Sequence, residues 1–531
     1  MSVQNKPLVL AVDLGTTACK VGLVTPNGKI VAYTEESDAT PTYFIPGGGA
    51  EQDTADWWKV VTSTTRRLLH ETKTPREQVV ALAVSVHWSG TVAVDRDGKP
   101  LGNAIIWMDT RGAPYVKEIT GGLIKVEGYG LDKIWTWIRL TGGIPTHSGK
   151  DSIAHILFIK NKRPEVYRQA YKFLEPKDYL NFLLTGKMAS DYATVGLHWL
   201  TDNRDINDIR YHPRLLRMAG IEREKLPDLY PTTRILGELR PEAAEAMDLP
   251  TGLPVSMGAP DVQAPVLGSG AVKDFEPHIY VGTSSWLTCH VPYKKTDLFH
   301  NMASMPSSIP GRYFVANEQE TSGVALTFLR DKVFYGDDIL GTGRAPANAY
   351  RRLDEMAAKA SPGSGGVIFT PWLYGERTPV DDPTLRGGFY NLSLGISRAD
   401  LVRAVFEGVA LNTRWLLMYV EKFVKRRFGP INIIGGGGRS DVWCQIFADV
   451  LQRPIRQVKD PQAAGLRGLG VLAGLALNLT TLESYSKYVE IEQTFSPDPG
   501  TKTVYDDLFN AFVEIYKRNQ ALYRKINRFG D

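Results

Sequence analysis

The sequence predicts an α/β protein folded as two lobes of related build, and three observations carry that reading. Hairpin-like β patterns alternate with helical ones along the chain, which is α/β organisation with a mixed, not purely parallel, sheet. One succession of elements (strand, Gly-hydroxyl turn, strand, strand) is met at residues 8–33 and again at 278–316. The chain has 531 residues, enough at about 150 residues per domain for two to four domains with ample core.

Leu8–Leu14 is a near-continuous apolar run. Ala18–Val24 follows a Gly-Thr-Thr turn and Ile30–Tyr33 follows Pro26-Asn27-Gly28-Lys29, so an antiparallel meander opens the chain. Asp53-Thr54 is a helix start signal, and Trp57, Val60, Val61 and Leu68 follow at near-helical spacing, which predicts a helix over Thr54–Leu69. Val79–Val86 and Thr91–Val94 are further strands, the second closed by Asp97-Gly98. His278–Val281, Gly282-Thr283-Ser284-Ser285, Trp286–His290 and Tyr313–Ala316 echo the opening, and the break between lobes falls near Gly268–Glu276. Ile431–Ile434 reads as a buried strand ending in Gly435–Gly438, and a helix over Asp441–Leu451 begins after Ser440. Leu401–Phe423 and Leu508–Ile526 carry apolar residues at three- and four-residue spacing, as core-facing helices do.

Composition removes several classes of function. With 62 basic and 58 acidic residues mixed throughout, the net charge is +4 and gives no footprint for nucleic acid or an acidic membrane. The three cysteines, Cys19, Cys289 and Cys444, are far apart and lack metal-ligand spacing, which argues against a disulfide framework or structural zinc and fits a reducing compartment. The N-terminal residues lack the long apolar core of a signal peptide, and no apolar stretch reaches the roughly 18–20 residues of a membrane span. The expectation is a cytoplasmic protein whose partners are small molecules.

Local motifs say which ones. Asp13-Leu14-Gly15-Thr16-Thr17 sets a carboxylate at a strand end, then a tight turn with two hydroxyls; such a loop can hold phosphate oxygens while the Asp reaches Mg²⁺. Gly282–Ser285 repeats the turn without the Asp, and a phosphate clamped between two lobes would use both. Asp261 stands among Gly258, Ala259, Pro260 and Pro265, accessible as a general base must be. Ser85-Val86-His87-Trp88-Ser89-Gly90 ends a strand with polar groups beside an aromatic face, suited to a sugar. The four glycines before a helix N-terminus offer backbone N–H groups to a nucleotide. Each also has a bland alternative: a plain hairpin turn, a surface turn, a packed His beside a core Trp. Walker A, GxGxxG after a strand, GxSxG and HExxH are absent.

Taken together the residues resemble the FGGY carbohydrate kinases, members of the actin, hexokinase and heat-shock ATPase superfamily, and most of all their xylulokinase branch. The likeness runs from about Leu8 to Leu475. It includes Asp13–Thr17 with Lys20, Glu51-Gln52-Asp53, Trp107-Met108-Asp109-Thr110-Arg111, Pro176-Lys177-Asp178, Gly282-Thr283-Ser284, Gly375-Glu376-Arg377-Thr378-Pro379, Arg403-Ala404 with Glu407-Gly408, and Gly435–Ser440. The resemblance implies two ribonuclease-H-like lobes around a central cleft, residues 1–272 for sugar and the first phosphate loop and 273–531 for ATP.

It implies Asp261 as catalytic base and Asp13 as the Mg²⁺-associated carboxylate. Thr16, Thr17, Lys20, Gly282 and Thr283 would line the phosphates, Gly436, Gly437 and Ser440 the adenosine, and His87 and Trp88 with Asp261 the sugar; Asp109 and Arg111 would line or support the pocket. The reaction would carry the γ-phosphoryl group of ATP to a primary hydroxyl of a ketopentose such as D-xylulose. A tetritol, glycerol or sugar-acid kinase is the alternative, and a sugar sensor without catalysis a further one. A homodimer is compatible with the resemblance. Val262 after the catalytic Asp, Pro260 before it, and Trp88 and Ser89 between His87 and its Gly depart from the xylulokinase pattern and bear on the choice of sugar.

Overall fold

The structure is a computed structural model and describes residues 6–339, 341 and 343–527. The first lobe is built on β1 (Leu8–Leu14), β2 (Ala18–Val24), β3 (Ile30–Ser37), helix α1 (Thr54–Thr72), β4 (Val79–Val86), β5 (Ile235–Glu238), β6 (Pro254–Ser256), β7 (Ala259–Pro260) and α2 (Gln263–Gly268). Its sheet runs β5-β6-β4-β1-β2-β3, with β7 also on β4. β1 is antiparallel to β2 and parallel to β4, a register that sets Asp13 between Lys20 and Ser85.

The second lobe contains β8 (Pro277–Val281), β9 (Ser285–Val291), β10 (Thr296–Asp297), β11 (Met302–Pro306), β12 (Tyr313–Ala316), α3 (Arg398–Val424), β13 (Ile431–Ile434), α4 (Asp441–Leu451), β14 (Ile455–Val458), α5 (Ala464–Ala476), β15 (Ile491–Phe495) and α6 (Lys502–Ile526). Its sheet runs β10-β11-β12-β9-β8-β13-β14-β15. β8 is antiparallel to β9 and parallel to β13, as β1 is to β2 and β4. The echo in the sequence is therefore a repeat of topology, and each lobe is ribonuclease-H-like.

The expected strands lie within a residue of the observed ones, except that β3 continues to Ser37. Helices begin or end outside their apolar periodicity because polar caps set their ends. α3 starts at Arg398, where Ser397 and Asp400 form a reciprocal capping box, and α1 runs on to Thr72, with Lys73 closing it in the left-handed conformation.

One connection crosses between halves of the chain. α5 lies on the sheet of the first lobe, where Leu466, Leu469 and Leu472 share a core with Val9, Ala11, Ala81 and Ala83. α5 also meets α2 backbone to backbone: a Cβ at Gly268 would stand 1.8 Å from the Ala464 carbonyl oxygen, and one at Gly468 would stand 1.9 Å from that of Ala264. Cys19, Cys289 and Cys444 are buried free thiols. Among the described residues no helix is long and apolar enough to cross a membrane.

Candidate active site

The two proposed working carboxylates stand at neighbouring strand ends. Asp13 lies near the C-terminal end of β1, before the turn closed by Gly15 N–H donating to Ala18 O at 2.8 Å. α5 approaches so closely that a Cβ on Gly465 would stand 2.6 Å from Asp13 Oδ2. Burial raises the pKa of Asp13, and the ammonium of Lys20 works against that rise. Asp261 follows β7; its N–H donates to Val86 O at 3.1 Å and its Oδ1 accepts the Trp88 N–H at 3.1 Å. Gly258, with φ +71°, lets this segment lie on β4, because a Cβ there would stand 2.0 Å from Val84 O. Burial, then the charge of Asp13, pushes the Asp261 carboxyl up to about 7. A carboxylate poised there can take a proton near neutral pH.

Around Asp261 the aromatic residues divide. Trp88 is half-buried and donates Nε1–H to Thr194 O at 2.7 Å. His87, expected at the sugar, is only 1% exposed and stands edge-on to Trp57 with ring centroids 5.3 Å apart. Among the described residues neither of its ring nitrogens has a partner, and burial lowers its pKa to about 4, so it is neutral. Trp107 is half-buried and donates Nε1–H to Thr16 Oγ1 at 2.9 Å, tying it to the Gly-Thr-Thr turn after β1. Arg111 pairs with Glu51 and Asp109, each at 2.6 Å, and Asp109 accepts the Ala50 N–H at 3.0 Å. That network ties the Asp109–Arg111 segment to Ala50 and Glu51.

Near this cluster stand groups from both lobes that sequence reasoning passed over. Tyr280, near the end of β8, stacks on Trp286 at 3.9 Å. Its phenol is raised above the ordinary range by burial and then by the charges of Asp13 and Asp261, which places it near both. Glu318, two residues past β12, also acts on Asp261 and pairs with Arg377 at 2.5 Å; Arg377 pairs with Glu320 at 2.5 Å as well. Lys150 stands with its ammonium 5.9 Å from the centre of the Trp107 ring. None of these three lies in a motif with catalytic spacing, so only the folded chain reveals them.

The Gly-hydroxyl turn of the second lobe leaves Thr283 exposed, while its backbone is fixed by Ser322 N–H to Thr283 O at 2.9 Å and Gly323 N–H to Gly282 O at 2.7 Å. Thr17 is likewise exposed, with Thr16 and Lys20 half-buried beside it. In the glycine run the three expected adenosine residues differ. Gly436 is exposed, with nothing within 4 Å of an added Cβ, whereas a Cβ on Gly437 would stand 2.3 Å from Val281 Cγ1. Ser440 caps α4, accepting the Trp443 N–H at 3.1 Å and donating to Asp354 Oδ1 at 2.8 Å, so its hydroxyl is committed to the fold.

Among the described residues no group of three or more His, Cys, Asp or Glu side chains could hold a metal ion. A single carboxylate is nonetheless what Mg²⁺ needs when substrate phosphates and water supply its other ligands, so Asp13 fits. The two hydroxyl turns and the open backbone at Gly436 fit a triphosphate and its nucleoside.

Two ribonuclease-H-like lobes, each with a Gly-hydroxyl turn after its first strand, have the architecture of the actin and hexokinase type. Comparison with known proteins narrows the class. The N-terminal domain profile of the FGGY family of carbohydrate kinases matches residues 8–268 and its C-terminal domain profile residues 278–477, and the chain belongs to that family. It is 26% identical to a xylulose kinase of Staphylococcus epidermidis over 531 residues, covering 97% of this chain and 98% of that one. It is 26% identical to a gluconokinase of Bacillus subtilis over 519 residues, covering 98% and 97%. The crystal structure of ligand-bound xylulose kinase from Lactobacillus acidophilus shares the fold, with a TM-score of 0.83 at 24% identity over 98% of this chain and 100% of that one.

Proposed function

We propose that the protein transfers the γ-phosphoryl group of ATP to a primary hydroxyl of an open-chain sugar or polyol, with Asp261 as general base. The observation that carries this reading is the Asp261 carboxylate itself: held by the Trp88 N–H, perturbed toward neutrality, and near enough to Asp13 and Glu318 to feel the charge of both. Asp261 accepts the proton of the acceptor hydroxyl as its oxygen bonds to the γ-phosphorus, and ADP departs as the β–γ bridge breaks. Thr16 and Thr17 from one lobe and Thr283 from the other orient the phosphates, Lys20 offsets their charge, and Asp13 would hold Mg²⁺. When bound, Mg²⁺ supplies charge neutralisation at the phosphate oxygens.

Two features bear on the acceptor. With His87 buried behind Trp57, the contacts available to it come from Trp88, Trp107 and Lys150. The relatives' names span both a ketopentose and a sugar acid, and D-xylulose and D-gluconate are the two acceptors to assay first.

Nucleotide placement has its own test. Gly436→Val adds a side chain where the protein leaves open space, so the variant should keep its Tm while the KM for ATP rises by about tenfold, equivalent to about 1.4 kcal/mol. Gly437→Val would strike Val281 and should lose stability instead. An unchanged KM for ATP in Gly436→Val removes the glycine run from the nucleotide site.

A further inference from the structure

Lys150 is a cation of the cleft with no counter-charge bonded to it. It ends the loop between the helices Leu131–Thr141 and Ser152–Lys162. That loop is pinned from two sides. Asp151 accepts the Thr146 N–H at 2.7 Å and Trp199 Nε1–H at 2.8 Å, and Ser89 Oγ donates to the Lys150 carbonyl at 2.6 Å. Ser89 adjoins Trp88, whose N–H orients Asp261, and it adopts φ +62°, a left-handed conformation uncommon for a non-glycine residue. The backbone of Lys150 is therefore fastened to the segment that positions the base.

Its side chain is half-buried beside Trp107, which in turn bonds Thr16 of the phosphate turn. Among the described residues the Lys150 ammonium makes no ion pair and no side-chain hydrogen bond. Burial and the charge of Arg377 lower its pKa, while Glu318 and Glu320 attract it from beyond bonding range, both being paired to Arg377. A partly desolvated ammonium without an acceptor is unfavourable unless a ligand supplies one. The acids that act on it, Glu318 and Glu320, disfavour a dianion at this point, whereas a single carboxylate matches one ammonium.

We propose that Lys150 binds a carboxylate on the acceptor, at the end remote from the hydroxyl that receives phosphate, so that aldonic acids are preferred over neutral ketoses. The proposal rests on the kinase reading above and names the substrate class of the same site. Trp107 and Trp88 would flank the carbon chain, and Lys150 would set its direction by pairing with the acid end.

The test compares kcat/KM for D-gluconate and D-xylulose in the wild-type enzyme, Lys150→Gln and Lys150→Arg, with Tm measured for each. The wild type should prefer D-gluconate. In Lys150→Gln the gluconate-to-xylulose ratio should fall by roughly 10- to 100-fold, the range expected on losing a hydrogen bond to a charged group, and Lys150→Arg should restore part of it. A wild type that prefers D-xylulose, or a ratio unmoved by Lys150→Gln, overturns the proposal and leaves the kinase reading standing. If neither acceptor is phosphorylated, calorimetry decides this proposal. D-Gluconate binding that is lost in Lys150→Gln upholds the role of Lys150, and absence of binding to the wild type overturns it.

Discussion

Asp261→Asn is expected to lower kcat by roughly 10²- to 10⁴-fold, the range for loss of a general base, while the affinities for ATP and acceptor are retained. The amide oxygen can still accept the Trp88 N–H that orients the native carboxylate, so shape is kept and basicity alone is removed. Stability gives the complementary sign. The folded-state pKa of Asp261 is raised from 3.8 to about 7, so between these pH values the folded chain holds a proton that the unfolded chain has released. The stability associated with this group is complete below the unfolded pKa and is lost as pH rises through about 7. Above that pH the Asn variant should therefore be at least as thermostable as the wild type. The same ionisation should make wild-type kcat/KM fall with unit slope below about pH 7, as a macroscopic value of the coupled Asp13–Asp261 pair. Near-normal kcat in Asp261→Asn would assign the residue a structural duty only.

The second large effect concerns the contact that joins the lobes. Gly468→Ala should lower both Tm and kcat, because its Cβ would stand 1.9 Å from the Ala264 carbonyl oxygen and neither helix can yield without moving its backbone. Overpacking of this kind costs about 1–3 kcal/mol. The displaced parts are α2, which begins two residues after Asp261, and α5, whose Gly465 touches Asp13. Gly429→Ala, which meets nothing within 4 Å, is the control and should leave Tm in place. Equal Tm values and equal kcat for the two variants would show that the α2–α5 contact neither stabilises the fold nor sets the carboxylates.

The meander, the echo of its topology and the buried strands were legible because period, β-branched runs and Gly turns act locally. Helix ends were less so: α6 starts at Lys502, six residues before the expected Leu508, and Tyr505 in its first turn is already buried, because the acidic pair Asp506-Asp507 interrupts the apolar spacing there. The packing of α5 on the other lobe left no readable mark, since Gly465, Gly468, Gly470 and Gly474 look like an ordinary small-residue helix until the facing backbone of α2 is in place. The expectations for Asp13 and the turns came from their spacing alone. His87 did not announce its burial, because a His beside a Trp reads the same in a core and in a pocket. Ser440 carried a nucleotide reading, and its hydroxyl caps α4. Lys150, Glu318 and Tyr280 lie in three separate segments, and only the approach of the lobes gives them a common neighbourhood.

The most direct measurement follows phosphorus. The wild-type enzyme is incubated with ATP, Mg²⁺ and, in separate samples, D-gluconate, D-xylulose, glycerol or no acceptor, and the products are observed by ³¹P NMR. Phosphoryl transfer to a primary hydroxyl predicts a new phosphomonoester resonance, split by two adjacent methylene protons and growing in step with ADP, in at least one acceptor sample and absent without acceptor. ADP and inorganic phosphate formed at the same rate in every sample, with no ester, would contradict it, as would no conversion of ATP at all.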